Sequence, residues 1–260
     1  MKALLLAAGI GSRLRPLTFD WPKCLMPIIG RPLLEYWLCM LQKNGIGNAL
    51  VNVHHHRPLV EEFLRRACFR NWVSSTYEPV LLGTAGTLLK NLAQFRNQSI
   101  LLIHADNWCQ CDFSEFLRFH VEERPNDTVM TMMTFRTESP ESCGIVELND
   151  LGVIVGYHEK IPDPPGDLAN GAVYILEPEI LDWLDQHPLN TDFSTQVIPY
   201  FVGRIATWEN TGIHRDIGTV ESLLSAQFDP QPDLCWPEND NWQARFKHNA
   251  VNNLLMSMNL

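Results

Sequence analysis

No stretch of this sequence approaches the roughly 18 consecutive apolar residues that a membrane-crossing helix needs. Met1-Lys2 leads straight into an apolar run without the pattern of a cleavable leader, so a soluble, cytoplasmic protein with no membrane partner is expected. Basic residues are scarce: 20 Lys and Arg against 30 Asp and Glu leave a net charge of −10. That balance removes the basic face that nucleic-acid phosphates require, and nucleic acid is excluded as the expected partner. Cys-x-x-Cys pairs are also missing. The cysteines, Cys24, Cys39, Cys68, Cys109, Cys111, Cys143 and Cys235, are odd in number and irregular in spacing, which argues against zinc or thioredoxin-like sites and predicts free thiols. The consecutive His54, His55 and His56 cannot converge on one metal, because neighbouring strand residues point to opposite faces; they read as strand-end or loop residues. The glycines are incomplete for two common phosphate motifs as well. A dinucleotide fingerprint would need glycine where Leu14 stands, and the Gly-Lys-Ser/Thr of a P-loop is absent.

What the chain does have is concentrated in residues 4–27. The apolar run 3–8 fits a strand buried on both faces, and it empties into Ala8-Gly9-Ile10-Gly11-Ser12. Gly9 and Gly11 let the backbone turn sharply and approach a ligand, leaving successive N–H groups free for phosphate oxygens. Arg13 and Lys23 bring cations to the same loop, which Pro16 and Pro22 stiffen. An acidic protein binding phosphates would need such a locally focused positive site, with divalent cations screening the rest of its field.

The run from Gly9 through Arg13-Leu14-Arg15-Pro16-Leu17-Thr18, followed by Pro22-Lys23-Cys24-Leu25-Met26-Pro27, resembles the signature of the sugar-1-phosphate nucleotidyltransferases, or nucleotide-sugar pyrophosphorylases. The resemblance is strongest to mannose-1-phosphate and D-glycero-D-manno-heptose-1-phosphate guanylyltransferases. It implies a nucleoside triphosphate and a sugar 1-phosphate as substrates, Mg²⁺ as cofactor, and Arg13 and Lys23 as catalytic residues. Ala8, Gly9, Gly11 and Ser12 would bind the nucleotide.

Beyond this loop the pattern alternates helices and strands: helix 31–43 with Pro32 in its opening turn, strand 49–53, helix 58–68, strand 72–77. This predicts an α/β, Rossmann-like fold with a mixed, mainly parallel sheet and helices on both faces. Strand 72–77 delivers Glu78 to a turn, Gly83-Thr84-Ala85-Gly86, that opens a helix and is expected to leave amide groups free there. The resemblance places base and ribose on Glu78, Gly83 and Thr84. A carboxylate only accepts hydrogen bonds and guanine offers adjacent donors, so Glu78 suits guanine better than uracil; a solvated loop glutamate is the other reading. Asp106 lies just past strand 99–104, where open α/β sheets bind ligands. Asp112 and Glu115 read as a capping box for a helix over 113–123.

From residue 127 the texture changes to short strands, 128–135, 144–148, 153–158 and 171–176, then helices 181–186 and 194–201, strand 204–208 and helix 220–228. The resemblance implies that Gly144, Glu159, Lys160 and Asn170 bind the sugar phosphate, and that Asp106 and Asp216, the latter in Asp216-Ile217-Gly218-Thr219, hold the metal. Residues 1–228 thus read as one nucleotidyltransferase domain. The tail 229–260 reads as a linker with prolines at 230, 232 and 237 and then one amphipathic helix whose stripe is Trp242, Phe246, Ala250, Leu254 and Met258, flanked by Val251 and Leu255. That helix is expected to dock on the domain or on a second copy as a homo-oligomer. UTP or dTTP with a glucose-type sugar is the alternative substrate pair; a nucleotide-sugar-dependent glycosyltransferase and a non-catalytic nucleotide-sugar sensor are the alternatives of other classes.

Overall fold

The structure is a computed structural model that describes residues 1–258 apart from 234 and 237–239, and leaves the side chains of 256 and 258 undescribed; Pro237 and the Met258 side chain lie outside that description. In chain order the elements are β1 Lys2–Leu6, α1 Leu33–Lys43, β2 Ala49–Val53, α2 Arg57–Leu64, β3 Val73–Tyr77, α3 Thr84–Lys90, β4 Ile100–His104 and β5 Asn107–Gln110. There follow α4 Phe113–Arg118, β6 Met130–Arg136, β7 Gly144–Leu148, β8 Ile154–Glu159, β9 Leu168–Leu176 and α5 Pro178–Gln186. Then come β10 Ile205–Glu209, β11 Ile213–Asp216, α6 Val220–Ser225, α7 Asn241–Lys247 and α8 Ala250–Met258. This is the α/β class expected, with a mixed sheet.

Two compact units divide the chain. The first comprises Met1–Leu4, Leu82–Ile103 and Cys111–Ile213; the second comprises Leu5–Leu81, His104–Gln110 and His214–Leu260. In the first, the strands run in the order β8-β7-β9-β4-β1. β9 is the hub: it pairs antiparallel with β4, β6 and β7, while β10 joins β6 in parallel. β9 starts three residues before the expected strand, and its register slips between Asn170 and Tyr174, where Ala172 has φ 54°. Such a bulge re-aims side chains locally, here around Asn170.

In the second unit β2 and β3 pair in parallel, in register from Ala49↔Val73 to Val53↔Tyr77. β2 is buried along its whole length. Arg31 and Pro32 pair with Ile28 and Pro27 rather than starting the helix, so α1 begins at Leu33. The cause is local: a residue before proline is biased to extended backbone. Residues 119–123 and 193–197 wind as wide π turns, and Pro199 keeps Ile198–Phe201 in a 3₁₀ turn instead of the α-helix expected over 194–201.

The tail belongs to the second unit and forms two helices, not one. Asn249 Oδ1 accepts from Asn252 N–H (2.8 Å) and starts α8 afresh, and within the expected stripe burial falls on the flanking Val251 and Leu255 instead of Ala250 and Leu254. Ala250 is exposed and Leu254 is 46 % exposed. Trp242 packs edge-on against Phe63 with centroids 4.9 Å apart, and Phe246 lies 5.9 Å from Trp21. A buried ion network ties the same parts together: Glu35 accepts from Arg31 (2.5 Å) and Arg66 (2.6 Å), and Arg66 also donates to Asp240 (2.6 Å). Cys39 and Cys235 are joined by a disulfide across 196 residues, correcting the expectation that all the thiols are free. Irregular spacing hides such a pair, because the folding back of the tail, rather than the sequence interval, brings the sulfurs together. Among the described residues no helix is long and apolar enough to cross a membrane.

Candidate active site

β1 ends at Leu6, and the next N–H groups would be orphaned in a buried place. They are not: Ala7 N–H and Ala8 N–H both donate to Asn52 Oδ1, at 2.6 and 3.1 Å. Ala8 was expected to offer its amide to a ligand; that donor is already taken. From Gly9 to Arg13 the N–H groups find no acceptor among the described residues, so the run of amides open to an anion starts one residue later than expected. Gly11 has φ +66°, and a Cβ there would sit 2.9 Å from Thr18 Cγ2. Thr18 braces the loop by donating its hydroxyl to Gly11 O (2.8 Å), and its own carbonyl accepts from His55 Nε2 (3.0 Å) and His56 Nε2 (3.2 Å). The histidines therefore stiffen the loop from behind, with the proton on Nε2 of each.

Lys23 opens a 3₁₀ turn after Pro22, and its side chain is only 6 % exposed. Its Nζ donates to Asp106 Oδ2 at 2.8 Å and to Asp216 Oδ1 at 3.0 Å, while Arg13 Nη2 donates to Asp216 Oδ2 at 2.7 Å. A two-stranded ribbon makes this meeting: Asp106 immediately precedes β5, Asp216 ends β11, and β5 pairs with β11. Burial opposes the charge on Lys23, but the two carboxylates outweigh it and hold the ammonium above the ordinary lysine pKa. Burial likewise pushes Asp216 up, yet Lys23 and Arg13 keep it below the ordinary aspartate value. A Cβ at Gly218 would stand 2.5 Å from Arg13 Nη2 and 2.6 Å from Asp216 Oδ2, so a larger residue there must move one of these side chains.

Glu78 is buried, 1 % exposed, and its Oε1 accepts from Asn52 Nδ2 at 3.1 Å; its carbonyl takes the His54 ring at 2.7 Å. It is neither a solvated loop residue nor, in this conformation, open to a base. Sequence reasoning passed over Asn52, although a lone polar residue in the apolar strand 49–53 was a signal.

In the first unit, Gly83 (φ +79°) is packed on Thr191, whose carbonyl accepts from Ala85 N–H (2.9 Å) and Gly86 N–H (3.1 Å). Thr84 Oγ1 accepts from Phe193 N–H at 2.7 Å. The amide groups expected to be free at the start of α3 are therefore capped from within the chain. Gly144, Glu159 and Asn170 do converge, around two tyrosines. Tyr157 OH donates to Glu159 Oε2; Asn170 Nδ2 donates to Tyr174 OH (2.8 Å) and Tyr157 OH (3.3 Å). A Cβ at Gly144 would collide with the Tyr157 hydroxyl and Glu159. Burial pushes both tyrosine pKa values well above the ordinary range. Lys160, at φ 51°, is exposed and lies 3.4 Å from Glu159 Oε1. Asp112 accepts from Glu115 N–H at 3.0 Å and caps α4, a structural role as expected.

A run of amides without acceptors at the end of a buried strand thus stands in the same unit as a lysine and an arginine held on two aspartates, in an α/β protein. The nucleotidyl transferase family model matches residues 2–231, and the chain belongs to that family. It is 27% identical over 232 residues to the mannose-1-phosphate guanylyltransferase of Mycobacterium tuberculosis, covering 87% of this chain and 64% of the relative. Identity is 27% over 234 residues to mannose-1-phosphate guanyltransferase 2 of Candida glabrata, covering 86% and 63%. It is 30% over 198 residues to the UTP–glucose-1-phosphate uridylyltransferase of Synechocystis, covering 71% and 51%. The chain thus spans less than two thirds of the length of these curated relatives. A solved structure from Bacillus anthracis, described as a glucose-1-phosphate thymidylyltransferase with sucrose, shares the fold with a TM-score of 0.78 and 21% identity over 87% of this chain and 94% of that one.

Proposed function

We propose that the protein transfers a nucleoside monophosphate from an NTP to a sugar 1-phosphate, most favourably GTP with a mannose- or manno-heptose-type partner. The observation that carries this reading is the Lys23 ammonium held between Asp106 and Asp216, with Arg13 beside it, at the free-amide loop. In the proposed step an oxygen of the sugar phosphate forms a bond to the α-phosphorus, the bond from that phosphorus to the β-phosphate bridge breaks, and pyrophosphate leaves with the electron pair. The nucleophile is already an anion, so no general base is needed; the obstacle is repulsion between two polyanions and charge growing on the leaving group. Arg13 and the amides from Gly9, Gly11 and Ser12 would hold the β- and γ-phosphates, and Lys23 the α-phosphate. Glu159 and Asn170, with Gly144 leaving room, would meet the sugar hydroxyls, and Lys160 its phosphate.

Asp106 and Asp216 fit a divalent cation in one checkable respect: both place an oxygen on the same nitrogen, at 2.8 and 3.0 Å, so one ion there would be within reach of both. Among the described residues no group of three or more metal-ligating side chains forms, and the remaining ligands would be phosphate oxygens, as suits Mg²⁺. When bound, Mg²⁺ would supply charge neutralisation at the phosphates.

The names of the mycobacterial and Candida relatives favour guanine; that of the Synechocystis relative favours uracil. Buried Glu78 gives the base no direct contact in this conformation, so the guanine preference rests on the relatives. The test is pyrophosphate release with Mg²⁺ over a grid of NTPs and the 1-phosphates of mannose, glucose and a manno-heptose. Release with GTP and a manno-configured sugar is expected. Release with UTP or dTTP and glucose 1-phosphate would keep the class and overturn the substrate pair; nucleotide-sugar binding without release would overturn the activity.

A further inference from the structure

Asn52 is 4 % exposed and is bound at both ends of its amide: Oδ1 by the N–H groups of Ala7 and Ala8, Nδ2 by Glu78 Oε1. Its orientation follows from these neighbours. Two N–H donors can face only the oxygen of an amide, and a carboxylate can face only its nitrogen. Nothing in the chemistry proposed above uses Asn52, although it touches the residues from which the phosphate-binding loop departs.

We infer that Asn52 and Glu78 are a positioning pair for that loop: Glu78 sets the Asn52 amide, the Asn52 oxygen sets Ala7 and Ala8, and these fix where the free N–H groups begin. Ala7 and Ala8 are 7% and 5% exposed, so their amides have little water to turn to. Without the Asn52 oxygen they would be unsatisfied donors, and the chain would shift to satisfy them. A loop displaced by even a fraction of an ångström loses the alignment on which transfer depends. The pair acts on the triphosphate, which every NTP shares, and hence on all NTPs alike. This inference rests on nucleotidyl transfer at this loop but is independent of which base is transferred.

The experiment compares N52D, E78Q and the double variant N52D/E78Q with the full-length parent, measuring kcat/KM for GTP and UTP, KM for the sugar 1-phosphate, and the melting temperature. N52D puts two buried carboxylates face to face, and kcat/KM for NTP is expected to fall about tenfold to 100-fold, with KM for the sugar 1-phosphate held. In N52D/E78Q the polarity is reversed but complete: the amide introduced at position 78 donates to the carboxylate introduced at position 52, and that carboxylate still accepts from Ala7 and Ala8. That variant should recover about tenfold or more over N52D, a rescue that a general loss of packing would not give. E78Q alone should change GTP and UTP turnover by the same factor. A GTP-to-UTP ratio moved about tenfold or more by E78Q would make Glu78 a base reader and overturn the inference, as would a double variant no better than N52D. If N52D does not fold, the E78Q ratio and the activity of the double variant decide. A parent enzyme that prefers UTP would overturn the guanine proposal and leave the pair standing.

Discussion

Replacing Lys23 by alanine tests the centre of the site most directly. The side chain is nearly buried and its ammonium is the shared partner of Asp106 and Asp216, so the substitution removes a cation whose place is fixed before any substrate arrives. Loss of one such preorganised contact costs about 100-fold in turnover or more, about 2.7 kcal/mol of transition-state stabilisation. The cost to folding should be smaller. The carboxylates left behind are 32% and 49% exposed, so water screens them, and the destabilisation should be on the order of 1 kcal/mol. The sign with pH is fixed by the raised pKa of Lys23: its contribution is complete below the ordinary lysine value of 10.5 and is lost as pH rises through the still higher folded value. At pH 7 to 8 the wild type therefore has the whole of it. Steady-state pyrophosphate release at saturating NTP, with a thermal melt on the same preparation, separates the two effects. A folded Lys23→Ala protein that retains turnover within about threefold would refute the role given to this side chain.

Three other perturbations probe how the site is built. Gly218→Ala forces a methyl group between Arg13 and Asp216; kcat should fall about tenfold or more with little change in melting temperature, measured by the same release assay. Glu35→Ala leaves the guanidinium groups of Arg31 and Arg66 buried without their common carboxylate and should cost about 3–5 kcal/mol in urea unfolding. Cys39→Ser should lower stability by about 2–4 kcal/mol without reductant and by nothing once the parent is also reduced, a comparison made by calorimetry with and without dithiothreitol.

The parts of the fold and site that could be read from the sequence are those whose physics is local. An apolar run closed by glycine marks β1 and the loop; Lys23 between prolines and Asp106 beyond a buried strand lie where a parallel α/β arrangement presents ligands. What escaped depends on partners distant in the chain. β5 and β11 are four residues each, without strong alternation, and gain their pairing only from each other, so the ribbon that brings Asp216 to Lys23 leaves little trace in either segment. The amides of α3 looked free because Thr191, which caps them, stands about a hundred residues away. Tyr157 and Tyr174 carry no signal of their own in strands 153–158 and 171–176, and their hydroxyls gain a role only where the fold brings them to Glu159 and Asn170. Asn52 had a signal, a polar side chain amid Leu50, Val51 and Val53, and the rule that a buried polar group must have a partner would have singled it out.

The charge of the protein sets the remaining condition on the site. With a net charge of −10, the protein repels a triphosphate at long range, and the cations that would attract it are spent internally, Lys23 on two aspartates and Arg13 on one. Binding a phosphate group to Lys23 or Arg13 would therefore displace a carboxylate, and a displaced carboxylate facing a polyanion without a counter-charge is unfavourable unless a divalent cation takes it. Conversely, Asp106 and Asp216 would hold a divalent cation only weakly while both carry the Lys23 ammonium, and better once a phosphate group had drawn that ammonium away. The exchange of partners is favourable only when both ligands are present. NTP and Mg²⁺ should accordingly bind with positive coupling, each improving the other by about tenfold or more, the range of a 1–3 kcal/mol coupling energy. Calorimetric titration of NTP at several Mg²⁺ concentrations, corrected for the Mg–NTP complex in solution, reads that factor. Independent binding would mean that Lys23 and Arg13 hold their aspartates throughout the reaction, and the loop amides alone would then have to hold the phosphates.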